Sequence, residues 1–264
     1  MDLGLKGKTV IVTGGASNIG RAISLAFGEE GSQVMLVDID EENGNKVAEM
    51  VQKKGSKATF TKADVTKYAE AERVVKETVN QFGTVDILVN NVGWDDFYPF
   101  MEIPVEKYEK YINLNLRHVL YFTRAVAPTM MEKKHGSIVN LGSDAGRLGE
   151  FRESVYAACK GGVISFTKNT AREFGRYQIR CNCVCPGATI PSEEETGKSS
   201  LFTLDEVKKL FPPEVQEKLA KTGYPLRRLG KAQDIANMVV FVASERASWV
   251  TGQTISVSGG YTMF

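Results

Sequence analysis

The sequence predicts a doubly wound α/β fold, a single domain with a parallel sheet of about seven strands and helices on both faces. Three observations predict it. Short apolar runs, many of them rich in branched residues, alternate with amphipathic stretches along the chain. Strands separated by helices cross over in the right-handed sense and pair in parallel. The 264 residues, 42% hydrophobic and 25% charged, have ordinary globular composition and are enough for one large core.

The elements follow in order. Residues 8–13 (KTVIVT) form the first expected strand and 18–30 the first helix. A strand over 33–38 (QVMLVD), a helix over 41–54 and a strand over 57–63 come next. The helix over 68–82 places Ala71, Val74, Val75, Thr78 and Val79 at helical spacing. Residues 85–90 (VDILVN) form the fourth strand. A long helix is expected over 105–131, bent or ended in its regular part by Pro128, which lacks the N–H of the helical ladder. A fifth strand over 137–141, a helix over 154–175, a sixth strand over 179–185, a helix over 231–244 and a last strand over 254–257 complete the pattern. Residues 187–230 carry Pro191, Pro212, Pro213 and Pro225 and are irregular. A segment of that length in one domain is expected to be a lid or binding loop, here about residues 188–229.

Thirty-three Lys and Arg against 32 Asp and Glu leave a net charge of +1, which points to neither nucleic acid nor membrane as a partner. Met1-Asp2-Leu3-Gly4 does not open a signal peptide, and no apolar run is long enough to span a bilayer. Cys181, Cys183 and Cys185 alternate on an expected strand, so they share a face and are read as small buried hydrophobes, as is Cys159. Their spacing is not that of a closed metal site. Free thiols fit a reducing, cytoplasmic setting.

Thr13-Gly14-Gly15-Ala16-Ser17-Asn18-Ile19-Gly20 joins the first strand to the first helix. Such a turn aims backbone N–H groups and a helix N-terminus at a pyrophosphate; the alternative is a plain strand-to-helix connection. Asp38 ends the second strand, 18 residues after Gly20. A carboxylate there accepts hydrogen bonds from both ribose hydroxyls of an adenosine and repels a 2′-phosphate, which favours NAD over NADP. Its alternative role is to cap the next helix. Tyr156 and Lys160 stand at i and i+4 and share a helix face, and Ser143 follows the fifth strand where parallel-sheet sites gather. An ammonium beside the phenol favours the phenolate and gives a base for alcohol oxidation or, protonated, an acid for ketone reduction.

With these residues the chain resembles the short-chain dehydrogenases/reductases over essentially its whole length, which implies a Rossmann-type sheet and NAD-linked oxidoreduction. The family turn is Thr-Gly-x-x-x-Gly-x-Gly, and Asn18 replaces its middle glycine; Asn tolerates left-handed angles. By resemblance Gly14, Ser17, Asn18 and Ile19 hold the cofactor, Asp64-Val65 the adenine, and Asn91 and Gly93, from Asn90-Asn91-Val92-Gly93, the ribose side. Pro186, Gly187 and Thr189 lie beside the nicotinamide. The family threonine that binds the carboxamide is Pro191 here, which leaves Thr189 or Ser192 to substitute. Ser143, 13 residues before Tyr156, orients the substrate oxygen. The 28-residue gap to Ser143 selects Asn115 over Asn113 as the residue holding a relay water to Lys160. His118 and His135 are given no catalytic role. A homotetramer is implied, with Gly260-Tyr261-Thr262-Met263-Phe264 as an apolar tail against a neighbour.

Three segments are expected to line the pocket: Trp94 to Phe100 with Trp94 and Phe97, Asp144 to Glu153 with Arg147, Phe151 and Arg152, and the lid. Their aromatics suit a ring-bearing substrate, or alternatively fill core or interface. Lys198, Lys208, Lys209, Lys218 and Lys221 suit coenzyme A phosphates or, interleaved with Asp205, Glu206, Glu214 and Glu217, a solvated face. Within the family, Asn90–Asp95, Ser143–Arg147 and Val155–Gly162 resemble 2-hydroxycyclohexanecarbonyl-CoA dehydrogenases of alicyclic and aromatic acid degradation. The alternatives are a 1-arylethanol or cyclic-alcohol dehydrogenase, a 3-oxoacyl-carrier-protein reductase, and a non-catalytic NAD-binding protein, which would have no need of the Asn115, Ser143, Tyr156 and Lys160 set.

Overall fold

Branched apolar residues bury on both sides of the central strands, and this places the sheet in the middle of the molecule. The computed structural model describes residues 2–198 and 200–263; Phe264, the end of the apolar tail, lies outside them. The seven strands are β1 (Thr9–Thr13), β2 (Gln33–Asp38), β3 (Ala58–Lys62), β4 (Ile87–Asn90), β5 (Gly136–Leu141), β6 (Ile179–Pro186) and β7 (Thr254–Val257). They pair in parallel in the order β3-β2-β1-β4-β5-β6-β7. The order reverses direction between β1 and β4, which opens a crevice at the carboxyl ends of the strands. Thr13 pairs with Val37 and Asn90 with Asn140, so the ends of these strands are level along that crevice.

Alternation along β1 splits the core in two. Val10 and Val12 join α1 (Asn18–Glu29) and α10 (Ala232–Ala243) through Ile23, Phe27, Ile235 and Val239. Ile11 faces the other way, toward Val74 of α3 (Tyr68–Phe82) and Phe122 and Val126 of α5 (His118–Lys133). α2 (Glu41–Lys53) covers β2 and β3, with Asp40 accepting from the Asn43 N–H as its cap.

Three features differ from the sequence expectations. The helix expected over 105–131 changes pitch: α4 (Tyr108–Ile112) passes through a π-helical turn, Asn113–Arg117, into α5. Pro128 does not end it, because Pro128 and Arg124 are both exposed and water can satisfy the Arg124 carbonyl that proline leaves unpaired. The stretch over 187–230 is not wholly irregular. After α6 (Ala145–Leu148), α7 (Ser154–Phe174) and β6, it forms α8 (Asp205–Leu210) and α9 (Pro213–Gly223). Proline suits the first turn of α9, where the missing N–H has no helical partner to lose.

Candidate active site

The glycine turn is built by close backbone approach. A Cβ on Gly20 would lie 1.9 Å from the Gly14 carbonyl oxygen, so only glycine lets α1 start here. Asn18 takes the left-handed φ of 49° that its type tolerates. Its Nδ2 donates to Ser200 Oγ at 2.8 Å, while its Oδ1 is buried without a partner. Asn18 therefore ties the turn to the β6–α10 connection, a role that sequence spacing did not show. The Lys198 N–H reinforces that contact by donating to Asp40 Oδ2 at 2.9 Å. Ser17, at the N-cap of α1, makes no side-chain cap bond, and the first turn has no acidic residue, so this helix end is suited to an anion.

Asp38 is buried at the end of β2. Its Oδ2 accepts from the Ala16 N–H at 3.1 Å and its Oδ1 from the Ile39 and Asp40 N–H groups at 2.7 and 3.1 Å. These bonds fix the carboxyl against the turn, and Asp40 rather than Asp38 caps α2. Burial outweighs the bonds and raises the Asp38 pKa. Asp64 is bound by Thr66 at 2.6 Å, and Val65 beside it is buried. Asn91 Nδ2 donates to the Thr13 and Gly14 carbonyls at 3.1 and 3.2 Å, locking the end of β4 to the turn. The residues of the expected cofactor track thus line one crevice, and the fit to a dinucleotide rests on the uncapped helix end, the glycine cradle and the buried Asp38 carboxyl.

Across the crevice lie Ser143, Tyr156, Lys160 and Asn115. β5 delivers Ser143, and α7 delivers Tyr156 and Lys160 one turn apart on one face. Ser143 hydrogen-bonds the Tyr156 hydroxyl, which pulls the phenol pKa down. Burial and the charges of Glu153 and Asp95 push it up by more. Lys160 is 2% exposed; its Nζ donates to the Leu141 carbonyl at 2.9 Å and stands 5.7 Å from the Tyr156 ring centre. Burial lowers its pKa to about 8. Asn115 is fully buried in the π turn. Its Oδ1 accepts from the Trp94 N–H at 2.9 Å, and its Nδ2 donates to the Trp94 and Tyr111 carbonyls at 2.8 and 3.0 Å. A π turn loosens the helical ladder around its residues, and sequence periodicity cannot announce it. Gly93 faces the gap between Asn115 and Lys160: a Cβ there would lie 3.3 Å from Asn115 Oδ1 and 3.4 Å from Lys160 Nζ.

On the far side, the Gly187 N–H donates to the Val257 carbonyl at 3.1 Å, and Thr189 Oγ1 donates to the Gly187 carbonyl at 3.1 Å. Ser192 is exposed and its hydroxyl donates to Glu195 at 3.0 Å, so Thr189 is the better placed of the two alternatives. Trp94 packs edge-on to Tyr111 with centres 5.1 Å apart, and Phe97, at a φ of 56°, packs on Phe211 at 5.3 Å. Phe151 is 80% exposed, outside this cluster of rings. His118 is fully buried, and burial drops its pKa to about 3, so it stays neutral. Cys181, Cys183 and Cys185 are buried on one face of β6, with 3.9 Å between the last two sulfurs.

A dinucleotide-sized crevice facing a Ser–Tyr–Lys–Asn set defines an oxidoreductase of the α/β class. The comparisons carry it further. Residues 14–262 match the family model described as Enoyl-(Acyl carrier protein) reductase. An uncharacterized oxidoreductase of Thermotoga maritima is 34% identical over 98% of this chain and 99% of its own. The (2S)-[(R)-hydroxy(phenyl)methyl]succinyl-CoA dehydrogenase subunit BbsD of Thauera aromatica is 33% identical over 99% of both chains. A 7α-hydroxysteroid dehydrogenase solved with NADH and 7-oxo glycochenodeoxycholic acid superposes with a TM-score of 0.88 at 32% identity, covering 98% of this chain and 96% of that one. The chain belongs to the short-chain dehydrogenase/reductase family.

Proposed function

We propose that the protein is an NAD-dependent dehydrogenase that interconverts a secondary alcohol and its ketone, with a ring-bearing hydroxyacyl thioester such as 2-hydroxycyclohexanecarbonyl-CoA as substrate. The observation that carries the reaction is the Ser143–Tyr156 hydrogen bond with Lys160 buried one helical turn away. The nicotinamide supplies the two-electron redox chemistry when bound. Ser143 fixes the substrate oxygen, and Tyr156 takes its proton in oxidation or returns one in reduction. Lys160, charged below about pH 8, stabilises the phenolate, and Asn115 holds the backbone geometry of the proton exit. Gly14, Ser17, Asn18 and Ile19 bind the pyrophosphate, and Asn91 and Gly93 border the ribose. Thr189 binds the carboxamide from the Pro186-Gly187 turn.

Asp38 supports NAD over NADP, because a fixed carboxyl accepts ribose hydroxyls and repels a phosphate. The segment about 188–229 acts as the lid, joined to the turn through Asn18–Ser200 and to the pocket through Phe97–Phe211. Trp94 and Phe97 line the ring pocket; Phe151, being exposed, is assigned to its outer rim. The similarity to a protein named as a CoA-ester dehydrogenase supports the thioester, as do several relatives named 3-oxoacyl-[acyl-carrier-protein] reductase FabG, one 35% identical. Of the lid lysines, Lys198 pairs with Glu42 at 2.5 Å and Lys221 with Glu217 at 2.5 Å. That leaves Lys208, Lys209 and Lys218 as the exposed candidates for coenzyme A phosphates. Large exposed apolar residues such as Trp249, 97% accessible, support a homotetramer with no nucleic-acid or membrane partner. The absence of a helix long and apolar enough to cross a membrane, among the described residues, is compatible with the proposed cytoplasmic setting.

The test is reduced-nicotinamide formation with NAD⁺ or NADP⁺ and either 2-hydroxycyclohexanecarbonyl-CoA or a 1-arylethanol. The expected result is faster turnover of the thioester and at least about tenfold preference for NAD⁺. Preference for the arylethanol assigns the lid lysines to solvated surface and the pocket to a free aromatic alcohol.

A further inference from the structure

Two carboxyl groups that the reaction does not use stand against the catalytic tyrosine. Asp95 leaves the carboxyl end of β4 and is 3% exposed. Its Oδ1 accepts from the Asp96 and Phe97 N–H groups at 2.8 and 3.3 Å, which fixes the carboxyl, while Oδ2 is buried without a hydrogen-bond partner. Glu153 stands at the N-cap of α7, three residues before Tyr156. The two acids act on each other's charge, and both act on Tyr156. The other charge felt by Glu153 is that of Glu150, again negative. The nearby cations are engaged elsewhere: Lys107 pairs with Asp96 at 2.7 Å, Lys110 covers the Trp94 ring at 3.5 Å, and Lys160 donates to the Leu141 carbonyl. Each loop is held in an unusual shape beside its acid, with Phe97 at φ 56° and Arg152 at φ 69°. Backbone strain of this kind persists where the surroundings enforce it.

A buried carboxyl oxygen without a partner is costly unless a ligand group meets it. We propose that Asp95 and Glu153 form a paired-carboxyl subsite beside Tyr156 that hydrogen-bonds an uncharged acyl group on the carbon next to the reacting one and excludes a free carboxylate. The inference rests on the reading of Tyr156 as the residue that holds the reacting oxygen. Two carboxyls close together share a proton more readily than they both ionise, and burial raises the pKa of Asp95 to about 6 and of Glu153 to about 8. The shared proton is a donor to an ester, thioester or amide carbonyl. A carboxylate placed there would instead meet negative charge in a poorly solvated pocket. The subsite thus makes the enzyme act on the esterified acid and leave the free acid alone.

The test is calorimetric binding of cyclohexanecarboxamide and of cyclohexanecarboxylate to the NADH-loaded enzyme at neutral pH, repeated with Asp95→Asn and Glu153→Gln. The wild type is expected to bind the amide at least about tenfold more tightly than the anion, and each variant to narrow that ratio several-fold. Asn and Gln keep the side-chain size, and a fold defect would weaken both ligands alike without moving the ratio. Equal binding, or tighter binding of the anion, overturns the subsite and leaves the Tyr156 reading standing. No saturable binding of either ligand overturns both.

Discussion

Replacing Tyr156 by phenylalanine is expected to lower alcohol oxidation about a thousandfold while leaving NADH affinity within about twofold of the wild type. The substitution removes one hydroxyl and keeps the ring that packs in α7. What is lost is the hydrogen bond with Ser143 and the proton acceptor itself. The pH profile separates this role from a packing role. Burial, Glu153 and Asp95 hold the phenol above its ordinary value, so wild-type oxidation rises as pH increases toward that value and ketone reduction falls. Lys160 opposes the rise only above about pH 8, where it loses its charge. The Phe variant has no phenol to titrate, so its residual rate lacks this rise. Stopped-flow absorbance of the reduced nicotinamide gives the rates, and fluorescence titration gives the affinity.

Gly20→Ala is expected to abolish measurable dinucleotide binding and to lower stability. The added methyl would sit 1.9 Å from the Gly14 carbonyl oxygen and 2.6 Å from Asn91 Nδ2. Neither neighbour is a flexible side-chain end: one is backbone, and the other is bonded to two carbonyls. The turn must open, and with it the contact between β1, α1 and β4 that shapes the crevice. Forced overpacking of this kind costs about 2 kcal/mol or more, a fall in Tm of roughly 5 °C for a chain of this size. Thermal unfolding with and without NADH measures both effects, since a variant that cannot bind the dinucleotide gains no stability from it.

Most of the fold was legible because the strands announce themselves twice, by branched apolar runs and by the helices between them. Gln33–Asp38 and Tyr68–Phe82 have the bounds that periodicity predicts. The π turn around Asn115 was not legible, since a single widened turn leaves apolar spacing almost unchanged. Neither were α8 and α9: their prolines and interleaved charges carry the composition of a loop, yet Pro213 starts a helix that holds its shape to Gly223. The family motifs named Ser143, Tyr156 and Lys160 by spacing alone, and the fold brings them to one crevice. Two features of that crevice had no sequence signal of their own. The bond from Asn18 to Ser200 joins residues far apart in the chain, and Asp95 and Glu153 look like ordinary polar loop residues until the fold buries them beside Tyr156.

The central claim is that a carbinol hydrogen leaves the substrate with its proton taken by Tyr156 and its hydride taken up by NAD⁺. The most direct measurement is mass spectrometry of the reduced cofactor after reaction of NAD⁺ with 2-hydroxycyclohexanecarbonyl-CoA deuterated at the carbinol carbon. The account predicts that the reduced cofactor carries the deuterium and that the Tyr156→Phe variant forms almost none. Reduced cofactor without deuterium, or none at all from this thioester and from a 1-arylethanol despite tight NAD⁺ binding, would contradict it.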